Sequence, residues 1–138
     1  MGLDIAIVGA GISGLTAAVS LRRSGHTVTL YERSSLNREV GAAINVPPNV
    51  TRFLIPWGLD PIKARFVVSE GMFFMSPTTL EEMAHFDYSQ TEKSFGAPLL
   101  YAHRVDLHES LKCMATEHGL GIPATVHLKS AVVKYVSI

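Results

Sequence analysis

Apolar residues follow two rhythms along this chain. Leu3 to Val8 is a β-branched, nearly continuous apolar run, the pattern of a strand buried on both faces in a parallel sheet. Leu15 to Ser24 switches to helical spacing, with Leu15, Ala18, Val19 and Leu21 on or near one face. Arg22 and Arg23 fall in its last turn, where the helix dipole favours cations. Gly25 takes the place of a C′ residue. Thr27 to Glu32 returns to a β-branched strand pattern. Strand, glycine-rich turn, helix and strand within about 30 residues predict a parallel βαβ unit.

Beyond Glu32 the pattern loosens. Ser34 to Val40 is polar and loop-like, and Gly41 to Val46 is small and apolar. Pro47-Pro48-Asn49 punctuates the chain. Val50 to Trp57 predicts a short helix limited by Pro56, and Asp60-Pro61 an N-cap followed by proline at the first helical position. Val67 to Met75 and Met83 to Tyr88 predict strands of an antiparallel excursion, with a loop over Thr91 to Pro98. Leu99 to Ala102 leads into a second helix, Asp106 to His118, with Leu107, Leu111 and Met114 apolar and Gly119 ending it. Val126 to Leu128 and Ala131 to Val136 are the last predicted strands. The expected fold class is α/β, a Rossmann-like βαβ fold with an antiparallel β excursion. It is expected to be incomplete, because the chain stops just after an apolar strand with nothing to cover it.

Composition narrows the function classes. The 138 residues make one ordinary domain, 47% hydrophobic and 17% charged, so the chain reads as globular. Lys plus Arg and Asp plus Glu balance at 12 each, which gives no basic footprint for nucleic acid or an anionic membrane. With Cys113 as the sole cysteine, neither an internal disulfide nor a thiolate metal cluster can form. No apolar run is long enough for a leader or a membrane span. A soluble protein in the cytoplasm is expected.

The glycines at the break after the first strand carry the chemistry. In Gly9-Ala10-Gly11-Ile12-Ser13-Gly14, Gly9 allows the tight turn and Gly11 lets backbone approach a pyrophosphate. Gly14 lets the helix pack on the sheet. The helix start, at Ile12 and Ser13, offers free N–H groups and a positive dipole end to phosphates. Glu32, 23 positions after Gly9, accepts hydrogen bonds from an adenosine ribose and repels a 2′-phosphate. Arg33 beside it partly offsets that repulsion. These residues point to a dinucleotide without choosing between FAD and NAD.

Three stretches resemble the N-terminal part of the group A FAD-dependent monooxygenases, the salicylate-hydroxylase-like aromatic hydroxylases. They are Ile5 to Leu15 with Tyr31-Glu32-Arg33, then Glu39 to Asn49 followed by Trp57-Gly58-Leu59, then His103 to His108 with Leu111. The resemblance spans nearly the whole chain and implies that residues 1–138 are the first part of an FAD-binding domain. It implies that Gly9, Gly11 and Gly14 cradle the FAD pyrophosphate and Glu32 holds the ribose. Gly41, Ala42 and Ala43 would line the cofactor groove, and Arg104 would reach FAD with its five donors. The bland reading of Arg104 is a surface arginine near a helix start, where a cation gains nothing from the dipole, and the cofactor role is favoured over it. The family typically has Gly-Ala-Gly where this chain has Gly41-Ala42-Ala43. The family's later Asp-Gly and Gly-Asp motifs are absent, along with most of its substrate-binding sheet. The implied reaction is hydroxylation of a small aromatic or similar substrate with NAD(P)H as transient reductant and O₂, and the isolated chain is expected to be inactive.

Other residues read as bland. The six histidines, His26, His85, His103, His108, His118 and His127, lack metal-site spacing and read as surface or packing residues. Glu81 and Glu82 read as a solvated turn, Met72 to Met75 as packing residues, and Cys113 as a small core residue. Two alternatives stand beside the hydroxylase: another FAD oxidoreductase of amine-oxidase type, and a non-catalytic truncated product.

Overall fold

The computed structural model describes residues 1–36 and 41–136. The Glu39-Val40 start of the second resemblance stretch and most of the expected 34–40 loop lie outside the described residues. In chain order the elements are β1 (Asp4–Val8), α1 (Ile12–Arg23), β2 (Thr27–Tyr31), β3 (Ala43–Val46), α2 (Pro48–Leu54), β4 (Val67–Val68), β5 (Gly71–Met75), β6 (Glu82–Asp87), α3 (Thr91–Phe95), β7 (Leu100–His103), α4 (Arg104–Thr116) and β8 (Thr125–His127). They form two compact units, one from Met1–Gly41 with Arg104–Ile138 and the other from Ala42–His103.

The first unit is the predicted βαβ with a third strand added. Its sheet is parallel in the order β1-β2-β8, with Ile7 opposite Leu30 and Leu30 opposite Val126. Helices α1 and α4 pack on each other. Leu15, Ala18 and Val19 of α1, Val28 and Leu30 of β2, and Leu107, Leu111 and Ala115 of α4 are all buried. Helix α1 ends in a Schellman motif. The Gly25 N–H donates to the Arg22 carbonyl at 3.0 Å and the His26 N–H to the Leu21 carbonyl at 3.2 Å, as the sequence implied for Gly25.

Several expectations for this unit need correction. Strand β1 is not buried on both faces: Ile5 and Ile7 are half-buried while Asp4, Ala6 and Val8 are exposed, and among the described residues β1 pairs with β2 alone. An unbroken apolar run cannot reveal which of its faces is covered. Residues 131–136 form no strand; they are exposed, and β8 gains no neighbour beyond β2 among the described residues. Arg22 does not serve its own helix end. It is 2% exposed, and its guanidinium donates to the carbonyls of Met114 (2.7 Å), Ala115 (2.8 Å) and Gly121 (3.0 Å). It therefore caps the C-terminal end of α4, where unsatisfied carbonyls and the dipole both favour a cation.

The second unit holds the antiparallel excursion. One sheet runs β3-β7-β4, with Val46 opposite Leu100, and β5 and β6 form a separate hairpin. Helix α2 starts earlier than expected because the two prolines open it: Pro47 is the N-cap and Pro48 the first helical residue. Its Thr51 is buried and donates to the Pro98 carbonyl at 2.7 Å. Asp60 does cap backbone, accepting from the N–H groups of Ile62 (3.0 Å) and Lys63 (3.1 Å), but the chain makes only a turn before Arg65 enters the left-handed region at φ 61°. The expected Thr91–Pro98 loop contains α3, stopped by Gly96. The packing expected for Met72 to Met75 is limited to the hairpin itself: Phe73 stacks on His85 and Phe74 meets Phe86 edge-on, while Phe73, Phe74 and Met75 each stay about half exposed. Cys113, on α4 of the first unit, is half-buried rather than a core residue.

Candidate nucleotide site

The site begins where β1 runs out. Gly9 has φ 96°, a conformation L side chains rarely adopt, and its N–H donates to the Tyr31 carbonyl at 2.8 Å. The turn thus stays stitched to β2 while reversing direction. Gly11 is the N-cap of α1, with φ −74° and ψ −178°. No side chain caps this helix end, and its first turn holds no acidic residue. The N–H groups of Ile12, Ser13 and Gly14 have no partner available within the helix, so they offer donors and a positive dipole end to an anion.

The other two glycines differ in what surrounds them. A Cβ on Gly11 would meet nothing within 4 Å, so the position opens on free space where a ligand can approach backbone. A Cβ on Gly14 would collide with the Gly9 carbonyl oxygen and lie 3.4 Å from Ile7 Cγ2. Gly14 therefore lets the helix close onto the turn.

Glu32 follows β2 and faces the same turn. Its Oε2 accepts from the Ala10 N–H at 2.9 Å and its Oε1 from the Ser34 N–H at 2.7 Å. The Ser34 and Ala10 backbone donors hold its carboxyl below the usual carboxylate range, with smaller help from the Ser34 hydroxyl and Arg33, against a modest opposing effect of burial. An ionised carboxylate has about four acceptor positions, so two remain for ribose hydroxyls. Arg33 is exposed beside it.

A groove of about 350 Å³ runs along this edge, lined by Val8, Gly9, Tyr31, Glu32, Arg33, Ser130, Ala131 and Val132. Its size falls within the range of small-ligand sites, about 300–1,000 Å³. Ala131 and Val132 fall in the expected 131–136 strand, and the sequence marks none of Ser130 to Val132 as part of a site. It is held by backbone bonds from Lys129 N–H to the Ser34 carbonyl (3.0 Å) and from Ser130 N–H to the Glu32 carbonyl (2.8 Å). Tyr31 stacks on His127 with ring centroids 5.2 Å apart. His108 also exceeds its bland reading: it is fully buried, with Nε2 2.7 Å from the Ala10 carbonyl oxygen.

The structure thus brings together Gly9, Gly11, Ile12, Ser13, Gly14, Glu32 and Arg33. Of these, Gly9, Glu32 and Arg33 line the groove, and Gly11 to Gly14 continue from Gly9 into α1; Gly41 and the half-buried Arg104, at the first position of α4, belong to the same unit and do not line the groove. Ala42 and Ala43 belong to the other unit, where Ala43 opens β3 opposite His103. Among the described residues no cluster of His, Cys, Asp or Glu is arranged to hold a metal ion. No described helix is long and apolar enough to cross a membrane.

Residues 7–44 match the family described as an NAD(P)-binding Rossmann-like domain. The FAD-dependent monooxygenase cfoG of Aspergillus candidus is 56% identical over 136 residues, covering 97% of this chain and 31% of that protein. The chain is homologous to the N-terminal part of FAD-dependent monooxygenases. Hispidin-3-hydroxylase of Neonothopanus nambi is 38% identical over 131 residues, 94% of this chain and 31% of that enzyme. Among solved structures, HpxO of Klebsiella pneumoniae complexed with FAD and uric acid superposes with a TM-score of 0.67 at 28% identity, over 80% of this chain and 28% of that one. The chain therefore spans about a third of the length of the curated monooxygenases it matches.

Proposed function

We propose that the first unit binds the ADP half of FAD, in a protein that hydroxylates a small aromatic or similar organic ring with NAD(P)H and O₂. The observation that carries this reading is the glycine turn fastened to Glu32. Gly9 and the ionised Glu32 carboxylate line the groove, and the turn from Gly9, tied to Glu32 through the Ala10 N–H, leads into open space at Gly11 and an uncapped helix start. Phosphate oxygens would take the N–H groups of Ile12, Ser13 and Gly14, and ribose hydroxyls would donate to Glu32. A 2′-phosphate would face the Glu32 charge, which disfavours NADP in this groove. Bound FAD supplies the redox chemistry. The relatives' names and the FAD held by HpxO favour FAD over NAD. Gly41, Ala42, Ala43 and Arg104 are proposed further contacts, within one FAD-binding domain spanning both units. The single cysteine fits a cytoplasmic setting.

Gly11→Val tests the reading. The backbone at Gly11 suits any residue and the added atoms meet open space, so the variant should melt with the wild type. FAD titration followed by flavin fluorescence should show wild-type binding and at least about a tenfold loss in the variant, or 1.4 kcal/mol. Equal affinity in the two, or wild-type protein that takes NAD in preference to FAD, would reject the assignment. Purified residues 1–138 should show no NAD(P)H-dependent hydroxylation.

A further inference from the structure

His108 lies one turn into α4 and is fully buried, although the nucleotide groove has no direct use for it. Its Nε2 is 2.7 Å from the Ala10 carbonyl oxygen. A carbonyl only accepts, so Nε2 is the donor. On the other side of the same residue, the Ala10 N–H donates to Glu32 Oε2 at 2.9 Å. Both backbone polar groups of Ala10 are therefore tied, one to β2's end and one to α4.

The second tie has a geometric consequence. The Ala10 carbonyl and the Gly11 N–H belong to one planar trans peptide, so they point in opposite directions. By drawing the carbonyl inward, His108 turns the Gly11 N–H outward, to the exposed side of the turn. That side also carries the free N–H groups at the start of α1. The imidazole is otherwise poorly suited to its place. Its Nδ1 is buried with no hydrogen-bond partner among the described residues, which an apolar side chain of similar size would avoid.

We propose that His108 is a positioning residue for the dinucleotide pyrophosphate, acting through the Ala10–Gly11 peptide. The inference rests on the reading that this turn takes a dinucleotide. His108 touches no ligand; it orients the peptide that does.

The test compares His108→Leu with His108→Gln in the full chain, titrated with ADP and with adenosine. Leucine fills the space without a donor, whereas the glutamine amide nitrogen reaches about as far as Nε2. His108→Leu should weaken ADP by about 3–10-fold, the loss expected for one neutral hydrogen bond, and leave adenosine unchanged. His108→Gln should restore ADP binding. Wild-type protein that binds neither ADP nor FAD would remove the nucleotide reading, and this inference with it. Wild-type binding that His108→Leu matches would remove only the role of His108. So would a loss shared equally by ADP and adenosine, since the ring would then be packing alone. Should His108→Leu fail to fold, His108→Asn takes its place, with an amide too short to reach Ala10. It should bind ADP more weakly than His108→Gln, and equal affinity would overturn the proposal.

Discussion

In the first unit, two buried polar side chains each fasten backbone from a distant part of the chain: Arg22 holds the end of α4, and His108 holds the glycine turn. In the second unit, every residue of β6 is exposed, and Phe73, Phe74 and Met83 show about half or more of their surface. The hairpin is held by its backbone ladder and by ring pairs, Phe73 on His85 with centroids 4.1 Å apart and Phe74 edge-on to Phe86 at 5.8 Å. One region is thus organised from inside by groups that lose heavily when unpaired. The hairpin of the other presents half-exposed apolar rings that pair across its two strands. A nucleotide site needs the first kind of support, because donors must keep their direction before the ligand arrives.

The sharpest way to break that contrast is Arg22→Met. It leaves the Met114, Ala115 and Gly121 carbonyls without their donor, so denaturant melts should show a loss of about 1–3 kcal/mol, the cost of leaving buried acceptors unpaired. A loss under 1 kcal/mol would mean that α4 caps itself. A smaller effect is expected from acid. The Glu32 carboxyl lies below its ordinary value because Ser34 and Ala10 N–H groups bond its charged form. Its contribution is complete above the unfolded-state pKa, about 4.3, and is lost as pH falls through the lower folded value. Wild-type stability should therefore fall more steeply than that of Glu32→Gln over this acid window, and parallel curves would contradict the clamp. The smallest effect belongs to Phe73→Ser. It removes one exposed cross-strand ring pair and should cost about 0.2–1 kcal/mol, read from the same melts.

What the sequence disclosed follows the range of the forces involved. The run from Gly9 to Glu32 was legible because each glycine answers a local demand, and the helix and strands around it keep their own periodicities. Gly25 was legible for the same reason. The partners of Arg22 and His108 lie 92 to 99 positions away, so spacing rules assigned one to its own helix dipole and the other to packing. Burial was the other blind spot. The apolar run Leu3 to Val8 looked doubly covered, and Ala131 to Val136 looked like a strand, because composition cannot report whether a neighbour is present. Residues 130–132 were missed as groove wall because nothing in their chemistry marks them.

The pairing of β2 with β8, Thr29 opposite Thr125, also sets a timetable. A ribosome adding about 5–20 residues per second would release β1, α1 and β2 several seconds before α4 and β8 exist. During that interval the glycine turn would lack the His108 tie and α1 would lack the surface of α4. The nascent first unit would wait, half-built, while the Ala42–His103 unit, continuous in sequence, emerges whole and is free to fold first.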